Sequence, residues 1–141
     1  MKSSTLYGLL QVAALFHVGL MCAGLAMPRA VNLRAHLAVL PSFIRRLFFV
    51  YYIFIGLVLA GFGCLTFLFA HSMTAGEPVA RGLCVLFCLF WTARLVVAAF
   101  VFDVRPYLVN WYYRIGYQAT NLVFIYLAAI YALAAWKGGR L

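Results

Sequence analysis

The residues best able to do chemistry in this chain are few, and they stand in apolar surroundings. Arg94 lies inside "LFCLFWTARLVVAAFVFD", Leu86 to Asp103, a run that otherwise reads as lipid-soluble helix. Burying a guanidinium there is costly. Either it meets a partner group or an anionic ligand, or it snorkels toward the headgroups and rests on Trp91 one turn back. His17 stands in a similar apolar run. Arg114, Tyr117, Gln118 and Asn121 follow at i, i+3, i+4 and i+7, a single polar stripe on one helix face. Such a stripe is expected to face other helices, where its groups find partners.

Helix rise of about 1.5 Å per residue, counted from the ends of the apolar runs, puts His17, Arg94 and Asn121 at one depth. Gln118 and Tyr117 fall just below them, and Tyr51 and Tyr52 lie one turn away. A layer of this kind would hold the polar or anionic head of an apolar ligand such as a quinone or an isoprenoid lipid. The candidate ligand-binding residues are His17, Tyr51, Tyr52, Arg94, Gln118 and Asn121. The structural alternative makes His17 a hydrogen-bonded core residue and the two amides interhelical contacts.

Other chemistries are disfavoured. Bis-histidine haem needs two imidazoles at one depth, whereas His71 sits at the far end of the second apolar run and His36 between runs. Cys22, Cys64, Cys84 and Cys88 all fall within apolar runs and lack the CxxC spacing of a thiol exchanger, so they read as small hydrophobes. The depths of Cys64 and Cys84 leave room for one bridge. No zinc spacing, phosphate loop, triad or carboxylate pair is present, so no metal ligand, resident cofactor or catalytic residue is assigned. The absence of an acidic residue from the centre of any run argues against a proton exchanger.

The elements that must position these residues follow from composition. Of 141 residues, 68% are hydrophobic and 9% charged, with a mean hydropathy of +1.06. Soluble domains carry about 25% charged residues. The expected fold is therefore an all-α integral membrane protein, a four-helix transmembrane bundle forming a single transmembrane domain. A span needs about 20 apolar residues, and four segments qualify: Leu6–Met27, Leu47–Ala70, Val79–Phe102 and Trp111–Trp136. Pro28 and Arg29 are expected to stop the first, Ser42 to cap the second, and Thr74 with Glu77 to form a capping box before Pro78. Leu33, Leu37 and Leu40 recur at helical spacing between the first two spans, predicting one short interfacial helix there.

The net charge of +9 is distributed as a bilayer requires, beside the spans, so anionic headgroups rather than nucleic acid are the expected partner. Arg29, Arg34, Arg45, Arg46, Arg105 and Arg114 share one side, against Lys2, Arg81, Lys137 and Arg140 on the other. That excess predicts both termini outside the cytoplasm, and the compactness of the chain points to a bacterial inner membrane. The first apolar run is long for a cleaved signal peptide. Arg45, Arg46, Arg105 and Arg114 stand among aromatic residues and are the candidate headgroup contacts. Gly19/Ala23, Gly56/Ala60 and Ala128/Ala132 have the spacing of close helix packing.

Two functions are expected from these features. One is a non-catalytic accessory or assembly subunit of a larger membrane complex, with other membrane proteins as partners. The alternative is a binder or transformer of a quinone- or isoprenoid-type lipid at the layer around Arg94. Whether a reaction is catalysed is left open by the residues.

Overall fold

Five helices account for the architecture: α1 (Ser3–Ala30), α2 (Leu33–Ala38), α3 (Ser42–Ala75), α4 (Pro78–Phe100) and α5 (Trp111–Lys137). A computed structural model describes residues 3–101 and 111–138, and no strand occurs among them. All but α2 are long and apolar enough to cross a membrane, so the chain is a multi-pass four-helix bundle. The expected contacts of Lys2, Asp103, Arg105 and Arg140 lie outside the described residues.

Helix ends differ from the expectation for physical reasons. α1 runs through Pro28 to Ala30 rather than stopping before the proline. Proline lacks the N–H that would bond the carbonyl four residues back, here Gly24. The Tyr52 hydroxyl of α3 donates to that Gly24 oxygen instead, so a neighbouring helix satisfies the group the proline orphans. α3 begins at Ser42, with Pro41 at its N-cap, so Ser42 is helical rather than a cap. The capping box is absent as well. Thr74 lies inside α3, where its hydroxyl donates to the Ala70 carbonyl at 2.8 Å. Glu77 is the N-cap of α4 without a side-chain cap bond, and Pro78 takes the first turn as expected. Gly76 closes α3 at φ 75°, a left-handed position that suits glycine, its N–H bonding to the Ser72 carbonyl. The short helix expected between the first two spans is present but shorter than its leucine pattern, and Leu37 anchors it.

The bundle is two antiparallel pairs, α1 with α3 and α4 with α5, joined over one half of their length. That half holds the core: Leu6, Leu10 and Ala13 of α1, Ala70 and Met73 of α3, Cys84, Phe87 and Trp91 of α4, and Leu127, Tyr131 and Ala134 of α5. It also holds the α3–α4 turn, so it is the closed end. Arg81 ties α4 to α5 there through its Nε, which donates to the Ala135 carbonyl at 2.9 Å. In the opposite half, past His17, Gly63, Trp91 and Phe124, Ala98 is the one buried residue described in the four long helices. Arg29, Arg34, Arg45, Arg46 and Arg114 stand at that end, the basic end. The four cysteines are free thiols.

Candidate functional site

The layer where the two helix pairs last meet, moving from the closed end, is built around His17. Its ring is fully buried. Gly63 of α3 makes room for it, because a Cβ built on Gly63 would stand 3.0 Å from the His17 Cβ and 3.7 Å from the Ala14 oxygen. Three rings from three helices surround the imidazole: Trp91 at 5.3 Å between centroids, Tyr131 at 6.2 Å and Phe62 at 6.4 Å, all edge-on. Tyr131 is fixed by a 2.5 Å hydrogen bond with Thr66, whose own hydroxyl donates to the Phe62 carbonyl. His17 also borders an apolar groove of about 350 Å³ between α1 and α3, with Met21, Leu59, Gly63 and Phe67 along it.

Trp91 continues the stack. Its indole lies on Phe124 of α5 at 5.2 Å and 25°. The Arg94 guanidinium carbon stands 5.2 Å from the centroid of that same Phe124 ring. The aromatic support for Arg94 is therefore Phe124 rather than the expected Trp91. The reason is helical phase: Arg94 follows Trp91 by one turn on the face of α4 that packs on α5. Phe124 falls three residues after Asn121, on the inward side of the polar stripe, and that spacing is the signal that marks it in sequence.

The remaining candidates disperse. Tyr117 donates from its hydroxyl to the Ala98 carbonyl of α4 at 3.3 Å, and Asn121, one turn further along, is half-buried. Arg114 and Gln118 are exposed, so the stripe divides between an inward and an outward flank. Tyr51 is exposed while Tyr52 serves the Gly24 carbonyl. Arg45 and Arg46 are exposed near the start of α3, beside Phe48 and Phe49. The described contacts thus bring His17 to Trp91, and Arg94 to Phe124, with Trp91 and Phe124 linking the two.

No family model, curated protein or solved structure matches the chain. What the layer can do follows from its donors and acceptors. His17 Nδ1 lies 2.8 Å from the Ala13 carbonyl oxygen, so that nitrogen carries a hydrogen and donates. Nε2 of the neutral imidazole is then an acceptor, while the Trp91 indole N–H is a donor only. Both nitrogens are buried without a hydrogen-bond partner among the described residues. The acceptor and the donor stand on neighbouring rings whose centroids are 5.3 Å apart. No group of His, Cys, Asp and Glu with metal-binding geometry occurs among the described residues.

Proposed function

We propose that the protein is a non-catalytic subunit that packs against other membrane proteins and stabilises their assembly. The observation that carries this reading is the pair of carboxamides on α5. Gln118 is exposed and Asn121 half-buried in a helix suited to span a membrane. Asn121 lies about 10 Å along the axis from Arg114, at a depth where water is scarce. Carboxamides in that setting favour a neighbouring helix, each bond contributing about 0.6 kcal/mol and at most about 1.7. In this reading the basic end faces the cytoplasm of a bacterial inner membrane and both termini lie outside, because arginine is in excess at that end.

Gentle extraction followed by native mass spectrometry tests the proposal. Wild type is expected to carry a companion protein in fixed ratio, and the Gln118→Leu/Asn121→Leu double variant to lose it while remaining helical. Wild type that emerges from its native membrane as a bare chain sinks the idea.

One specific observation favours a second reading, a binder of a quinone- or isoprenoid-type lipid. It is the adjacent acceptor and donor on His17 and Trp91, with the apolar groove alongside to take a tail. The same spectra report on it. A small-molecule mass on wild type that disappears with His17→Leu supports this reading, and a wild type without any such mass ends it.

A further inference from the structure

The elbow between α1 and α2 frames a half-open cavity of about 520 Å³, lined by Pro28, Arg29, Asn32, Leu33, Arg34 and Phe49. Small-ligand sites span roughly 300–1,000 Å³, so the space suits a compact polar group. Its lining is of two kinds. Arg29 at the end of α1 and Arg34 in the first turn of α2 bring guanidinia from the two sides of the turn, while Leu33 and Phe49 supply apolar surface. The turn itself is held by Asn32 in a left-handed conformation, φ 47° and ψ 46°. Leu37, 5% exposed, pins α2 to the rest of the chain, so the cavity is built into the fold.

Charge and depth together point to an occupant. The whole chain has two acidic residues. Glu77 stands at the closed end, and Asp103 lies outside the described residues. A single carboxylate could not neutralise this end, where Arg45 and Arg46 add to Arg29 and Arg34. Arg29 is also the last residue of the apolar span Ser3–Arg29, which sets the cavity at the boundary of hydrocarbon and headgroups. Guanidinium matches phosphate oxygens in a two-pronged geometry that an ammonium lacks.

We propose that this cavity holds the phosphate of an anionic phospholipid from the surrounding bilayer. Arg29 and Arg34 take the phosphate oxygens, and Leu33 and Phe49 lie against the glycerol and the first acyl carbons. The residues expected from sequence to meet headgroups, Arg45 and Arg46 among them, flank the cavity as part of the wider positive field. The assignment is independent of whether a companion protein or an intramembrane ligand is bound.

Delipidated full-length protein, titrated with phosphatidylglycerol or phosphatidylcholine in detergent and read by native mass spectrometry, tests it. Wild type is expected to retain one phosphatidylglycerol per chain under conditions that strip phosphatidylcholine. At about 1 kcal/mol for each basic residue near an anionic surface, Arg29→Gln/Arg34→Gln should weaken retention about 30-fold. Both side chains are exposed, so folding is not at stake, and helical circular dichroism verifies this. Arg45→Gln/Arg46→Gln removes the same charge and should retain most of the binding. Equal losses in the two double variants would mean nonspecific surface charge and overturn the site. Inorganic phosphate that displaces the lipid at matching concentration would overturn the lipid as the source of the phosphate.

Discussion

Trp91→Ala should lower the stability of the bundle by about 3 kcal/mol, the low end of the range for deleting a large buried aromatic. The low end applies because helices separated within a membrane still bury their side chains in lipid. Little transfer from water is lost, and the cost falls on packing. Trp91 is 2% exposed, and its ring touches His17 of α1, Phe90 of its own helix and Phe124 of α5. It is thus a contact that joins the two helix pairs near the limit of the shared core. Its loss removes the edge of the imidazole cluster and the stack that backs Phe124 beneath Arg94. Denaturation in mixed micelles, followed by the near-ultraviolet circular dichroism of buried tyrosines such as Tyr131, which every variant retains, measures the effect. Trp111 and Trp136 are each 71% exposed, so the tryptophan band of the wild type should arise mainly from Trp91 and be lost in its variants. Trp91→Phe should retain most of the stability. An alanine variant that unfolds at the wild-type denaturant concentration would mean that the pairs are not joined through this ring.

The number and order of the spans were legible because hydrocarbon thickness sets a length that composition alone reveals. Which face of each span meets the core was not. A soluble helix advertises its buried face by contrast with polar residues, but in a membrane the core and the lipid-facing surface are both apolar. Only rare polar residues mark direction, and they do so imperfectly. Tyr117 turns inward to Ala98, while Gln118 beside it turns out. Small residues mislead in the same way. No neighbouring atom lies within 4 Å of a Cβ built on Gly19 or Gly56, although both have packing-motif spacing; the close approach falls at Gly63. Pro28 shows a third limit. Local rules end the helix there, yet Tyr52, twenty-eight residues further along the chain than the carbonyl it serves, supplies the missing donor. His17 and Arg94 were identifiable by type, and Phe124 by its spacing from Asn121, whereas the pairing of His17 with Trp91 and of Arg94 with Phe124 depended on the relative phase of helices that no local pattern encodes.

Gly63→Val should be the second damaging substitution, destabilising by about 2–3 kcal/mol through overpacking. The β-carbon alone would sit 3.0 Å from the His17 Cβ and 3.6 Å from its Cγ. Alanine at this site gains up to about 1 kcal/mol of helix propensity over glycine, which offsets part of the strain, so Gly63→Ala should be nearly neutral to mildly destabilising. Valine adds two methyl groups and gives back part of the propensity gain. The obstacle cannot yield easily. His17 is held by its bond to Ala13 and by rings on its far side, so α1 and α3 must separate or the imidazole must press into Trp91 and Tyr131. Gly56→Ala, seven residues earlier on α3 and open around its built Cβ, gains propensity without a clash and should be neutral or stabilising by up to about 1 kcal/mol. Unfolding midpoints of the three variants in the same micelles separate the possibilities. A Gly63→Val variant that unfolds at the same midpoint as Gly56→Ala would show that α1 and α3 do not approach at Gly63, and His17 would then lose the neighbour that gives it room. A steep loss confined to position 63 ties the orientation of His17, and with it the geometry of the whole layer, to a single absent side chain.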